Sequence, residues 1–204
     1  MNIEDQPAHW RVVSSDELLR SRLVAVRSDK VLTPENDVAE RDVVLHPGAV
    51  AVLALDATGR ILMIRQYRHP VGRLLWEIPA GLRDLAGEDP WATAQRELVE
   101  EAAYRARDWK ILADYYSSPG FTNERLRVFL ARDLEPVPEA ERHFVPRDEE
   151  AHLLHAWVPL DEAVRKVFAG ELHNGPAALA IMAGYAARSE GFDRLRPADA
   201  PEEQ

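Results

Sequence analysis

Residues 89–103, DPWATAQRELVEEAA, constrain the fold more than any other stretch of this chain. Asp89 has the side chain of a helix N-cap, and Pro90 suits the first helical position, where its missing N–H costs nothing. Neither Gly nor Pro interrupts the Ala-, Leu-, Glu-, Gln- and Arg-containing run that follows, so the pattern predicts a helix to about residue 103. On a wheel of about 100° per residue, Trp91, Ala94 and Ala102 fall within roughly 40° of Leu98 and make an apolar stripe that must face a core. Glu97 and Glu101, one turn apart, run along one edge of that stripe, with Glu100 further towards solvent. Like charges at this spacing cost a helix a few tenths of a kcal/mol, a cost that a bound cation reverses. Hard divalent ions such as Mg²⁺ take oxygen ligands of this kind. For three glutamates on their own, an ordinary solvated face is the competing reading.

Around the helix the chain alternates short apolar runs with breakers. Residues 49–56 and 60–67 are two strongly apolar runs about Ala57-Thr58-Gly59, a hairpin signal, and are expected as central strands. Trp76 and Glu77 alternate as on a strand, and the Pro79-Ala80-Gly81 corner turns the chain towards the helix. Glu88 is expected to orient the helix through Arg96, because on the wheel it falls on the far side of the stripe from Glu97 and Glu101. Residues 109–117 and 126–134 read as strands joined by Ser118-Pro119-Gly120-Phe121-Thr122-Asn123-Glu124, a loop of the kind that carries functional groups at a sheet edge. Residues 135–150, with Pro136, Pro138 and Pro146, are expected as a mobile loop ahead of a strand at 151–158. Residues 160–168 read as a short helix capped by Gly170, and 176–188 as a closing helix. The segments WRVVSS, RLVAVRSDKVL and RDVVLH, between residues 9 and 46, read as strands too few to be stable alone, which must pack on the main domain or on another subunit. His152, His155 and His173 have no zinc spacing and are read as packing or surface residues.

Composition narrows the function. The chain has no cysteine, which removes disulfides, thiolate zinc sites and cysteine nucleophiles together. A formal charge of −10 argues against nucleic acid as a partner, since that contact needs clustered Lys and Arg. A phosphate substrate is compatible if metal ions bridge carboxylates to phosphate oxygens and a few arginines are placed locally. No apolar run approaches the roughly 20 residues that span a bilayer, and the acidic amino terminus lacks the pattern of a signal peptide, so no membrane contact and a cytoplasmic location are expected.

A glycine, six residues, Glu88, seven residues, then Arg96-Glu97-Leu98-Val99-Glu100-Glu101 and Ala102-Ala103-Tyr104, resembles the Nudix box. There are two departures. The family's first gap is usually five residues, and Ala103 stands where the family has glycine, which is tolerable unless a left-handed backbone is required there. The SPGFTNE loop resembles the one that follows the box in ADP-ribose pyrophosphatases. The resemblance implies an α+β Nudix fold, a mixed β-sheet sandwiched between helices, with a small N-terminal antiparallel β subdomain. The divisions expected are 1–46 as that dimer-forming segment, 47–192 as the hydrolase domain and 193–204 as a flexible acidic tail.

The same resemblance implies hydrolysis of ADP-ribose to AMP and ribose 5-phosphate by a homodimer. A different nucleoside diphosphate sugar, or a catalytically silent nucleotide sensor, is the alternative. It implies Mg²⁺, with Mn²⁺ as a possible substitute, held by the Ala80 carbonyl, Glu97, Glu101 and Glu100. Glu150, with Glu149 as the alternative, would be the base acting on water. Arg41 and Arg68 are candidates to hold phosphates or the terminal ribose, against a plain surface salt bridge for Arg68. Phe121 either lines the substrate site or anchors its loop. Leu45 stands where the family often carries Glu.

Overall fold

Strand β4 (Ala49–Ala54) is buried along its whole length, and the larger unit of the molecule is built around it. In this computed structural model, which describes residues 3–142 and 153–202, the chain divides into two units. Gly48–Tyr115 with Arg125–Ala200 make one; the chain up to Pro47, Tyr116–Glu124 and the last residues make the other.

In the larger unit β4 runs parallel to β9 (Arg125–Pro136) and antiparallel to β7 (Ala80–Leu82), within a five-stranded sheet that continues through β8 (Tyr104–Tyr116) to β11 (Arg196–Pro197). A second sheet has the order β10 (Leu154–Pro159), β5 (Arg60–Arg68), β6 (Arg73–Glu77), all antiparallel. Successive side chains of β4 point to opposite faces. Ala51 and Leu53 pack with residues of α2 (Leu160–Phe168) and α3 (Gly175–Arg188); Val50, Val52 and Ala54 pack with Ala94, Leu98 and Ala102 of α1 (Pro90–Ala102). The mixed sheet is therefore covered by helices on both faces, as expected. Gly184 of α3 lets that helix lie close on β4, since a Cβ there would come within 2.4 Å of Leu53 Cδ2.

The hairpin expected at residues 49–67 does not form. The chain does turn at Asp56–Gly59, with the Asp56 carboxylate accepting from the Thr58 and Arg60 N–H groups, but beyond a single bridge between Leu55 and Ile61 the two strands part into different sheets. The reason lies in the pattern itself: continuous apolar runs belong to strands covered on both faces, whereas a hairpin with one wet face alternates.

Helix α1 begins as predicted, with the Asp89 carboxylate accepting from the Trp91 N–H and Pro90 at the first position. It ends on Ala103 at φ 57°, ψ 38°, its N–H shared between the Leu98 and Val99 carbonyls. A left-handed backbone is thus required where the family has glycine, and the alanine methyl costs roughly 1–2 kcal/mol there.

Two segments are more ordered than expected. Within 135–142, Val137 is buried and its N–H donates to the Ala103 carbonyl, and Glu139–Glu141 form a single 3₁₀ turn. Residues 193–200 are not a frayed tail: β11 pairs with Lys110 and Ile111, Ala198 is buried, and the Ala200 carbonyl accepts from Arg127. That guanidinium is only 3% exposed and needs partners, which the tail helps to provide. Burial pushes the Asp114 carboxyl up, but the hydrogen bonds from Arg127 and Arg196 outweigh this and hold it below the usual carboxylate range.

The smaller unit contains the antiparallel meander β1 (Val12–Arg20), β2 (Ala25–Leu32), β3 (Val38–Leu45). Every residue of β1 is exposed, so β1 is held by its ladder with β2 rather than by burial. The SPGFTNE loop groups with this unit, not with β8 and β9, which it connects. The Val44 N–H donates to the Phe121 carbonyl, Thr122 Oγ1 donates to the Val44 carbonyl at 3.0 Å, and Asn123 Oδ1 accepts from the His46 N–H.

Candidate active site

The acidic edge of α1 resolves into two environments. Glu97 and Glu101 are 9% and 8% exposed, far too buried for a solvated face, while Glu100 is half-buried. Glu101 Oε2 accepts from the Ala80 N–H at 2.8 Å. The Glu97 carboxylate lies on Gly81: a Cβ at that position would sit 2.0 Å from Glu97 Cδ. The glycine is needed for the room it leaves, because its backbone is not left-handed. Strand β7 is in turn fixed to β4, with Gly81 opposite Val50 and the Pro79 carbonyl accepting from the Val52 N–H. The corner expected at Pro79-Ala80-Gly81 thus meets both buried glutamates.

On the other flank one guanidinium serves three carboxylates. Arg96 Nε and Nη2 donate to Glu88 at 3.2 and 3.1 Å, and its Nη1 donates to Glu97 at 2.7 Å and to Glu100 at 3.0 Å. Thr93 Oγ1 also donates to Glu88. The hydrogen bonds to Glu88 are the main reason the Arg96 pKa is raised, and those same bonds hold the Glu88 carboxyl below its usual range. Glu88 therefore orients the helix through Arg96 as expected, although the wheel argument for it fails: residue 88 precedes the first helical turn and has no place on the wheel.

The oxygen-only donor chemistry suits a hard divalent cation, since two buried carboxylates, a third beside them and the backbone of Ala80 lie around one corner, with Arg96 between Glu97 and Glu100. Among the described residues, however, no three acidic or histidine side chains stand together in metal-holding geometry, and Arg96 lies between Glu97 and Glu100.

A further buried carboxylate escaped the sequence reading as a site residue. Glu77 is 1% exposed and grips Arg68 through two parallel bonds, Nε to Oε1 at 2.9 Å and Nη2 to Oε2 at 2.7 Å. The signal was present, since a glutamate inside the apolar run LLWEIPA must find a cationic partner. Of the two readings for Arg68, the geometry shows the salt bridge, but with a buried partner rather than at the surface. On β10, His155 Nε2 lies 2.6 Å from the Glu101 carbonyl oxygen. In the other unit Arg41 is exposed, with Nη1 on the Glu40 carbonyl, and Phe121 is 55% exposed, which excludes its being a buried loop anchor. Glu149 and Glu150 lie outside the described residues.

The family model for the NUDIX domain matches residues 45–178, and the chain belongs to the Nudix family. Over 190 residues, 93% of this chain and 89% of the relative, it is 43% identical to a protein of Mycobacterium tuberculosis named ADP-ribose pyrophosphatase. It is 34% identical to the ADP-ribose pyrophosphatase of Bacillus subtilis over 84% of this chain and 90% of that one. A crystal structure described as an ADP compounds hydrolase superposes with a TM-score of 0.75 over 92% of this chain and 99% of the other; at 19% identity it speaks to the fold alone.

Proposed function

We propose that the protein hydrolyses the pyrophosphate bond of ADP-ribose, giving AMP and ribose 5-phosphate, with Mg²⁺ as cofactor and Mn²⁺ as a substitute. The observation that carries this reading is the burial of Glu97 and Glu101 against the Ala80–Gly81 backbone, in a chain whose relatives are named for that activity. The two carboxylates are buried along one helix edge, where a hard divalent ion would find the oxygen ligands it takes. Glu97, Glu101, Glu100 and the Ala80 carbonyl are the groups that would hold the ion. When bound, it supplies charge neutralisation at the pyrophosphate and a lower pKa for the attacking water.

The chain's own residues do the rest. Gly81 leaves the volume that the Glu97 carboxylate fills, the Ala80 N–H aims Glu101, and Arg96 keeps Glu97 and Glu100 from repelling one another before the ion enters. Glu150, or Glu149 in its place, takes the proton from water. Arg41 and Arg68 hold phosphates or the terminal ribose by forked hydrogen bonds, Arg68 being oriented by Glu77, and Phe121 offers its exposed ring to the substrate. Residues 1–46 build a homodimer, for which the half-exposed Val12, Val13, Leu18 and Leu19 of β1 are suited. A cytoplasmic location is part of the same proposal. No helix among the described residues is long and apolar enough to cross a membrane.

The test is a panel of nucleoside diphosphate sugars with Mg²⁺ or Mn²⁺, in which both products are identified. ADP-ribose should be cleaved to AMP and ribose 5-phosphate and only when metal is present. Turnover of another member of the panel with ADP-ribose left intact would overturn the substrate, and no turnover of any would favour a nucleotide sensor.

A further inference from the structure

Glu101 is held at two points from two different sheets. Its carboxylate accepts from the Ala80 N–H of β7, in the five-stranded sheet, and its main-chain carbonyl lies 2.6 Å from His155 Nε2 of β10, in the three-stranded sheet. A carbonyl can only accept, so His155 Nε2 carries the hydrogen and donates it. The carbonyl is one of the last four of α1, which have no partner within a helix that ends at Ala102. Fixing it fixes the backbone of residue 101, and with it the direction in which the side chain leaves the helix.

His155 is well placed for this. It stands opposite Ile64 on β5, which stands opposite Glu77 on β6, so the three lie in one row on one face of the second sheet. The six paired residues of β10 hold its backbone whatever its ring does. The residue as a whole is exposed, while its bond to the Glu101 carbonyl is partly buried.

We infer that His155 is a positioning residue for Glu101, setting the ion affinity of the site through the Glu101 main chain rather than by touching ion or substrate. This rests on Glu101 being a metal ligand. Groups one step behind a metal ligand typically change affinity or activity about 10- to 100-fold when removed. Their effect comes from geometry, because small displacements of a ligand are enough to spoil a coordination site.

The experiment titrates Mn²⁺ alone, without substrate, into the full-length wild type and into His155→Ala, His155→Gln and Glu101→Gln, following free Mn²⁺ by electron paramagnetic resonance and recording Tm for each. His155→Ala should weaken Mn²⁺ binding by about 10-fold with Tm close to that of the wild type. His155→Gln, which keeps an N–H donor on a side chain of similar reach, should recover most of the affinity. Wild-type Mn²⁺ affinity in His155→Ala, an equal loss in His155→Gln, or a loss that comes with a collapse in Tm would each overturn the inference. The Glu101→Gln arm separates the two ideas. If it loses Mn²⁺ while His155→Ala does not, only the role of His155 falls; if it keeps wild-type affinity, the ligand assignment falls and takes the role of His155 with it.

Discussion

The two flanks of α1 treat the same side chain in opposite ways. On the Arg96 flank the carboxylates of Glu88 and Glu100 are partly exposed and meet a guanidinium, an arrangement that satisfies charge and ties the loop before the helix to its middle. On the β7 flank Glu97 and Glu101 are buried on backbone, one against a glycine that leaves it room and the other on an N–H. The β7 flank sets two carboxylates where water is scarce, on the backbone of one corner, and that oxygen-rich setting suits a bound cation. Glu97 belongs to both flanks through its 2.7 Å bond to Arg96, which makes it the hinge of the comparison.

The largest effect should come from breaking the β7 flank. Glu101→Gln should lower kcat by more than about 100-fold in a steady-state assay while Tm is maintained, because the proposed ligand is lost and the fold is not. Gly81→Ala should come next: the added methyl displaces the Glu97 carboxylate, so turnover falls by about 10- to 100-fold and more metal is needed for half-maximal rate.

Smaller effects are expected from groups that serve only the helix. Ala103→Gly relieves the left-handed backbone at the end of α1 and should raise stability by about 1 kcal/mol in urea denaturation, with turnover unaltered. Glu88→Gln should cost no more than about 1 kcal/mol at neutral pH, in keeping with a partly exposed ion pair. Its signature is in the pH dependence. The Glu88 carboxyl is held below its ordinary value of 4.5, so folding favours its ionised form. The contribution is complete above pH 4.5 and is lost as pH falls through the lowered value. The variant should therefore show a shallower loss of stability below pH 4.5; an unchanged acid limb would mean that Glu88 is a bystander.

Much of the site was legible because its signals are local. Asp89 and Pro90 start the helix, the stripe through Leu98 orients it, and the glutamate spacing puts Glu97 and Glu101 on one edge. The strands of the catalytic unit were legible as elements, but the partnership of β4 with β9 and of β5 with β10 was not, because apolar runs covered on both faces carry no record of their neighbours. Glu77 signalled burial without naming Arg68, and the tail at 193–200 reads as solvated by composition although Arg127 and β8 capture it. His155 carried no signal at all, because its partner is a main-chain carbonyl, and every residue has one of those.

What the sequence by itself determined is the acidic helix, its caps and the chemistry of its edge, since helical periodicity turns spacing into geometry without help from the rest of the chain. What only the tertiary structure decided is which of those carboxylates are buried, what meets them and from which sheet. Those contacts join residues 21 and 54 positions apart, and long-range packing is chosen by the fit of whole surfaces rather than by any local pattern.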